Sequence, residues 1–168
     1  MKKVILGATG SIGSSLAKKL VDSGEQVHLV GRDEASLSEL ANELNSTFTK
    51  CDVLEENFSE KIISDLKNEQ VNGLAYCVGS IDLKPLKLTK KSDFMQSFNL
   101  NLVSATEIIK SLADSLKASK GSIVLFSTVA VQQGFPNHAI VSSAKGAVEG
   151  LTLALAAEYA PNLSLIHI

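Results

Sequence analysis

The chain has 168 residues, 45% of them hydrophobic and 20% charged, a balance that suits one globular domain with a substantial core and excludes a disordered or fibrous chain. A net charge of −2 and a pI near 5.9, with lysines scattered rather than striped, offer no footprint for a polyanion. No nucleic-acid or membrane partner is expected, because the apolar run that opens the chain breaks at Gly7 and Gly10, too early for a signal peptide or a span.

In chain order, short apolar runs alternate with longer segments of helical period. Strands are predicted at Val4–Leu6, Val27–Val30, Phe48–Cys51, Leu74–Val78 and Ile123–Phe126. Helices are predicted at Ser11–Val21, Ala35–Leu44, Phe58–Leu66, Phe94–Leu116 and from about His138 to Tyr159. This rhythm implies an α/β fold, a doubly wound parallel sheet of Rossmann type, because each helix must carry the chain back across a sheet face. The lysine-rich stretch from Ser80 to Lys91 reads as a solvated connection. Cys51 and Cys77 end apolar runs with no metal-ligand spacing, which suits buried, reduced thiols in a cytoplasmic protein.

Between the first strand and first helix lies G-A-T-G-S-I-G, in which glycines permit a tight turn and close approach of a diphosphate. Gly7, Thr9, Gly10, Ser11, Ile12 and Gly13 are therefore the expected dinucleotide turn, with the helix start facing the phosphates. Where an NAD-binding fold usually places an acidic residue after its second strand, this chain has Gly31-Arg32. A guanidinium there suits a 2′-phosphate, so NADP is expected over NAD, with Asp33 as a partial neutraliser of Arg32.

Several further blocks resemble the short-chain dehydrogenase/reductase family from Met1 to about Leu163. Cys51-Asp52-Val53 is similar to the pair that contacts adenine, and Asn101 in N-L-V-S-A-T resembles the asparagine that interrupts the long helix and holds water near the site. Gly121–Thr128 resembles the strand that carries the catalytic serine, and Ser143-Ala144-Lys145-Gly146-Ala147 the segment around the active lysine. The resemblance implies an NADP(H)-dependent oxidoreductase acting on a small carbonyl or alcohol. It assigns Asp52, Val53, Gly79 and Lys145 to the cofactor and Asn101, Thr128 and Lys145 to the chemistry.

Departures from that family pattern bear on function. Tyr76-Cys77-Val78-Gly79 keeps only the glycine of the family's Asn-Asn-Ala-Gly, Thr128 replaces the serine, and Val141 stands where the proton-donating tyrosine belongs. His138 is a candidate replacement acid, since spacings of three and four place it in one helical stripe with Val141 and Lys145. The Asn137-His138 pair also resembles that of tyrosine-lacking relatives; the plainer alternative has Asn137 cap the helix and His138 occupy its exposed first turn. Tyr76 and Tyr159 read as packing or surface residues. A silent NADP(H)-binding module and a structural partner of an active homologue are the alternative functions. Self-association through the last two long helices is expected of the full-length parent.

Leu163–Ile168 is what CTG TCT CTT ATA CAC ATC encodes, a transposon end used to attach sequencing adapters. The expectation is accordingly a genuine dinucleotide-binding domain over residues 1–162, with 163–168 a foreign tail or the start of a truncated sixth strand. On that reading the chain is an inactive fragment of a longer enzyme.

Overall fold

A computed structural model describes residues 1–159 and 164–167. Its elements follow the expected alternation: β1 (Lys2–Leu6), α1 (Ser11–Asp22), β2 (Gln26–Gly31), α2 (Glu34–Glu43), β3 (Thr47–Lys50), α3 (Phe58–Asp65) and β4 (Val71–Tyr76). After a 3-10 turn at Leu86–Leu88 come α4 (Lys91–Phe98), a π-helical stretch (Asn99–Val103), α5 (Ser104–Ala118), β5 (Ser122–Leu125), α6 (Ala130–Gln133), α7 (Ala139–Tyr159) and β6 (Ser164–His167). All strand pairs are parallel, in the order β3-β2-β1-β4-β5-β6. The order reverses between β1 and β4, which opens a crevice beyond their carboxyl ends.

Two cores explain why both sheet faces are covered. Successive strand residues point to opposite faces, so Val4 and Leu6 of β1 join one core while Ile5 joins the other. The larger core packs α3, α5 and α7 on the sheet; α5 contributes Ala105, Ile108, Ile109, Leu112 and Leu116, a stripe at helical spacing. The smaller packs α1 and α2 through Ala17, Leu37, Leu40 and Ala41 against Val27 and Leu29 of β2. Leu37 and Ile108, both fully buried, each contribute about 2 kcal/mol by leaving water.

The predicted helix Phe94–Leu116 is broken as the family likeness implied, by a π-helical stretch around the buried Asn101. One extra residue in a helical turn re-aims the side chains it contains, and such turns gather at functional sites. α6 was not predicted, and α7 begins one residue later than expected. Asn137 takes a left-handed φ of 67°, and the carbonyl of His138 accepts the first helical hydrogen bond, from Ser142, at 2.8 Å. His138 thus precedes the helix as its cap instead of lying in its first turn. By length and composition α7 could cross a membrane, with a mean hydropathy of 1.3 over its most apolar window, but it packs against β6, α4 and α6. Of the segment 163–168, Ser164–His167 pair with Ser122–Leu125, while Leu163 and Ile168 lie outside the described residues.

Candidate active site

The glycine turn builds the first wall of the site. Gly7 has φ of 74°, and a Cβ there would lie 2.9 Å from the Cys77 carbonyl oxygen at the end of β4. Only glycine lets the two strand ends close to that distance. Gly10 caps α1 with no side-chain hydrogen bond, so the first-turn N–H groups remain available to an anion.

Beside the turn opens a cleft of about 770 Å³, at the place where the strand order reverses. Of the expected cofactor residues, Gly7, Thr9, Gly10, Arg32, Asp52, Val53 and Gly79 line it. Gly13 does not. It is buried, and a Cβ on it would lie 2.3 Å from the Gly7 carbonyl oxygen, so its work is to let α1 pack on the turn. Ser11 and Ile12 open α1, exposed and outside the cleft wall. Cys51, Cys77, Ser80, Gln96 and Leu100 are among the further wall residues that were not expected there. Burial pushes both thiols up to about 11, so they are neutral walls and not nucleophiles.

On the cleft wall, Arg32 is exposed and its guanidinium lies 3.5 Å from the Asp52 carboxylate. Asp33, expected to offset Arg32, instead accepts from the Ser36 backbone N–H at 2.7 Å and caps α2. Hydrogen bonding from Ser36, its side chain first and then its backbone N–H, holds the carboxyl below the ordinary value. Asp52 is therefore the arginine's partner.

Asn101 and Lys145 are not part of the cleft wall, but both approach it at Gly79. A Cβ built on Gly79 would lie 3.1 Å from Asn101 Oδ1 and 3.5 Å from Lys145 Nζ. Asn101 is 1% exposed; its Nδ2 donates to the Ser97 carbonyl at 2.9 Å, yet its Oδ1 has no partner. A buried acceptor left unpaired marks a place for an ordered hydroxyl or water. Lys145, from α7, has no carboxylate partner among the described residues, and burial holds its ammonium below the usual lysine value.

Thr128 follows β5, its Oγ1 accepting from the Ala130 N–H at 3.3 Å. Val141 is 3% exposed, packed and apolar. The contacts of His138 lie within its own loop: Nδ1–H donates to the Pro136 carbonyl at 2.8 Å, and the ring stacks at a tilt on Phe135. Tyr76 donates to the Leu100 carbonyl at 2.6 Å, and Lys117 lies 4.3 Å over the Tyr159 ring, so both tyrosines serve packing.

Residues 2–167 match the family model for short chain dehydrogenases. The chain belongs to that family. It is 32% identical over 157 residues to an L-fucose dehydrogenase of Oryctolagus cuniculus, covering 91% of this chain and 55% of the relative. An L-xylulose reductase of Bos taurus is 29% identical, with 96% and 66% covered. The chain therefore spans about half to two thirds of the length of the curated relatives it matches. Among solved structures, a short chain dehydrogenase/reductase family protein superposes with a TM-score of 0.91 at 23% identity, covering 99% of this chain and 73% of that one. An alcohol dehydrogenase of Thermococcus sibiricus complexed with 5-hydroxy-NADP gives 0.89 at 23% identity, covering 99% and 75%. Both likenesses concern the fold.

The glycine cradle, the uncapped start of α1 and the unpaired Asn101 Oδ1 together fit a dinucleotide of the NAD(P) type.

Proposed function

We propose that this chain forms the NADP(H)-binding part of an oxidoreductase that interconverts a small carbonyl compound and its alcohol, with a proton route that does not use a phenol. The observation that carries the reading is the convergence of Asn101 Oδ1 and Lys145 Nζ on Gly79, a residue that lines the same cleft as the glycine turn. Gly7, Thr9, Gly10 and the start of α1 hold the diphosphate, and Arg32 takes the 2′-phosphate. When bound, the nicotinamide supplies or accepts the hydride. Thr128 orients the carbonyl oxygen by donating its hydroxyl hydrogen, since its Oγ1 already accepts from Ala130.

The proton comes from Lys145 through a water held on Asn101 Oδ1. Burial without a counter-ion makes this ammonium more acidic than an ordinary lysine. His138 is the second candidate: with Nδ1–H tied to Pro136, its Nε2 is the nitrogen left to exchange a proton. The side chain at position 141 favours another reading, a nucleotide-binding module without turnover. The exposed Leu153 of α7 supports self-association through this helix and α5.

A screen of aldehydes and ketones for substrate-dependent NADPH consumption by the protein carrying this chain tests the reading. Lys145→Ala should lower turnover by about a hundredfold or more, the usual worth of a positioned acid, and His138→Ala by only a few fold. The reverse ranking would move the acid to His138, and the absence of turnover with every carbonyl would favour the silent module.

A further inference from the structure

Among the described residues Lys145 is without a carboxylate partner although one stands a single helical turn away. Glu149 follows it by four residues on α7, the spacing at which helix side chains meet. Its carboxylate instead accepts a hydrogen bond from the Ser127 hydroxyl, beyond the end of β5. Resting on the reading that Lys145, besides supplying the proton, holds the cofactor, we propose that Ser127 is a positioning residue that keeps Glu149 away from Lys145 and so leaves the ammonium free to reach Gly79 and Asn101.

Freed from Ser127, the Glu149 carboxylate has Lys145 as its natural partner on the same helix face. In partly buried surroundings that pair is stronger than a surface pair, and it draws the ammonium down the helix, away from Gly79. The other charges near α7 offer no substitute. Asp93 on α4 is taken by Lys84 at 3.1 Å and by the Lys90 N–H at 2.8 Å, while Lys91 repels an ammonium. The π-helical stretch and α6 carry no titratable side chain, and the Cys77 thiol is neutral. The other titratable groups on α7 and on the elements packed with it are Glu158 and Tyr159 on α7, Glu107, Lys110, Asp114 and Lys117 on α5, with Lys117 held over the Tyr159 ring, His138 ahead of α7 and His167 on β6. Ser142 separately ties α7 to the Ala130 carbonyl at 3.2 Å, so losing the Ser127 hydroxyl leaves this region anchored.

The test reads Lys145 directly. Lysines are dimethylated with 13C-formaldehyde, the Lys145 resonance is assigned with Lys145→Arg, and its titration midpoint is followed by NMR alongside NADPH dissociation constants. Ser127→Ala should raise the midpoint and weaken NADPH binding by about tenfold, the loss of one charge-assisted hydrogen bond. Ser127→Ala combined with Glu149→Gln should restore both, and Ser127→Thr should match wild type. An unchanged midpoint in Ser127→Ala, or a raised midpoint that persists in the double variant, overturns the proposal. Midpoints that move as expected without NADPH binding in any variant would uphold the latch and sink the cofactor reading.

Discussion

The Arg32 guanidinium and the Asp52 carboxylate face each other at 3.5 Å on the wall of the cleft, bringing the expected phosphate ligand and the expected adenine contact into one ion pair. A 2′-phosphate must compete with Asp52 for the arginine. Asp52→Asn removes the competing charge while its side-chain oxygen can still accept from the Leu54 N–H. The preference for NADPH over NADH should therefore rise, by up to about fivefold given what an exposed ion pair is worth, because any change at the adenine contact falls on both nucleotides alike. Titration of both nucleotides against the variant checks this.

Gly13 supports the turn from behind without touching the cleft. A methyl group there meets backbone atoms of Gly7 and Ala8 at 2.3 and 2.9 Å, and neither can swing aside as a side chain would. Gly13→Ala should cost about 3 kcal/mol of stability, at the upper end for overpacking, measured as a lowered urea midpoint with an unchanged m-value.

Acid sensitivity should reside in His28. The ring is fully buried between Thr47 and Thr49, at 2.8 and 2.9 Å from their hydroxyl oxygens. Thr49 donates onward to Asp65 at 2.7 Å, and Lys2 donates to Thr47 at 3.1 Å. This chain of donors and acceptors closes only around a neutral imidazole with its proton on Nε2. Burial first, and then the Lys2 charge, lower its pKa to about 4. The folded value lies below the unfolded one, so the stabilising contribution is complete above about pH 6.5 and is lost as pH falls towards 4. The loss should amount to about 3 kcal/mol. Urea denaturation at a series of pH values should show that slope, and His28→Val should flatten it.

Periodicity and the glycine turn made the sheet, the covering helices and the glycine side of the cleft wall legible, because each rests on local spacing that burial enforces. Position 13 was misread because the triplet says where glycines fall and not which of them faces the ligand; only the Gly7 carbonyl packed against Gly13 settles that. Likewise the pairing of Arg32 with Asp52, and the use of Asp33 as a cap, depend on how β2 and β3 align. Thr47 and Thr49, two residues apart on β3, were the available signal for a polar patch on one strand face, yet nothing local tied them to His28. Ser127 and Glu149 belong to no spacing rule at all, since β5 and α7 meet only in the fold.

The most direct test of the account is a calorimetric titration of the protein with NADPH and with NADH, repeated on Arg32→Ala. NADPH should bind at least about tenfold more tightly than NADH, and the alanine variant should lose that preference, as expected when a charge-assisted contact to the 2′-phosphate is removed. Equal affinity for both nucleotides in the wild type, or a preference that survives in Arg32→Ala, would contradict it.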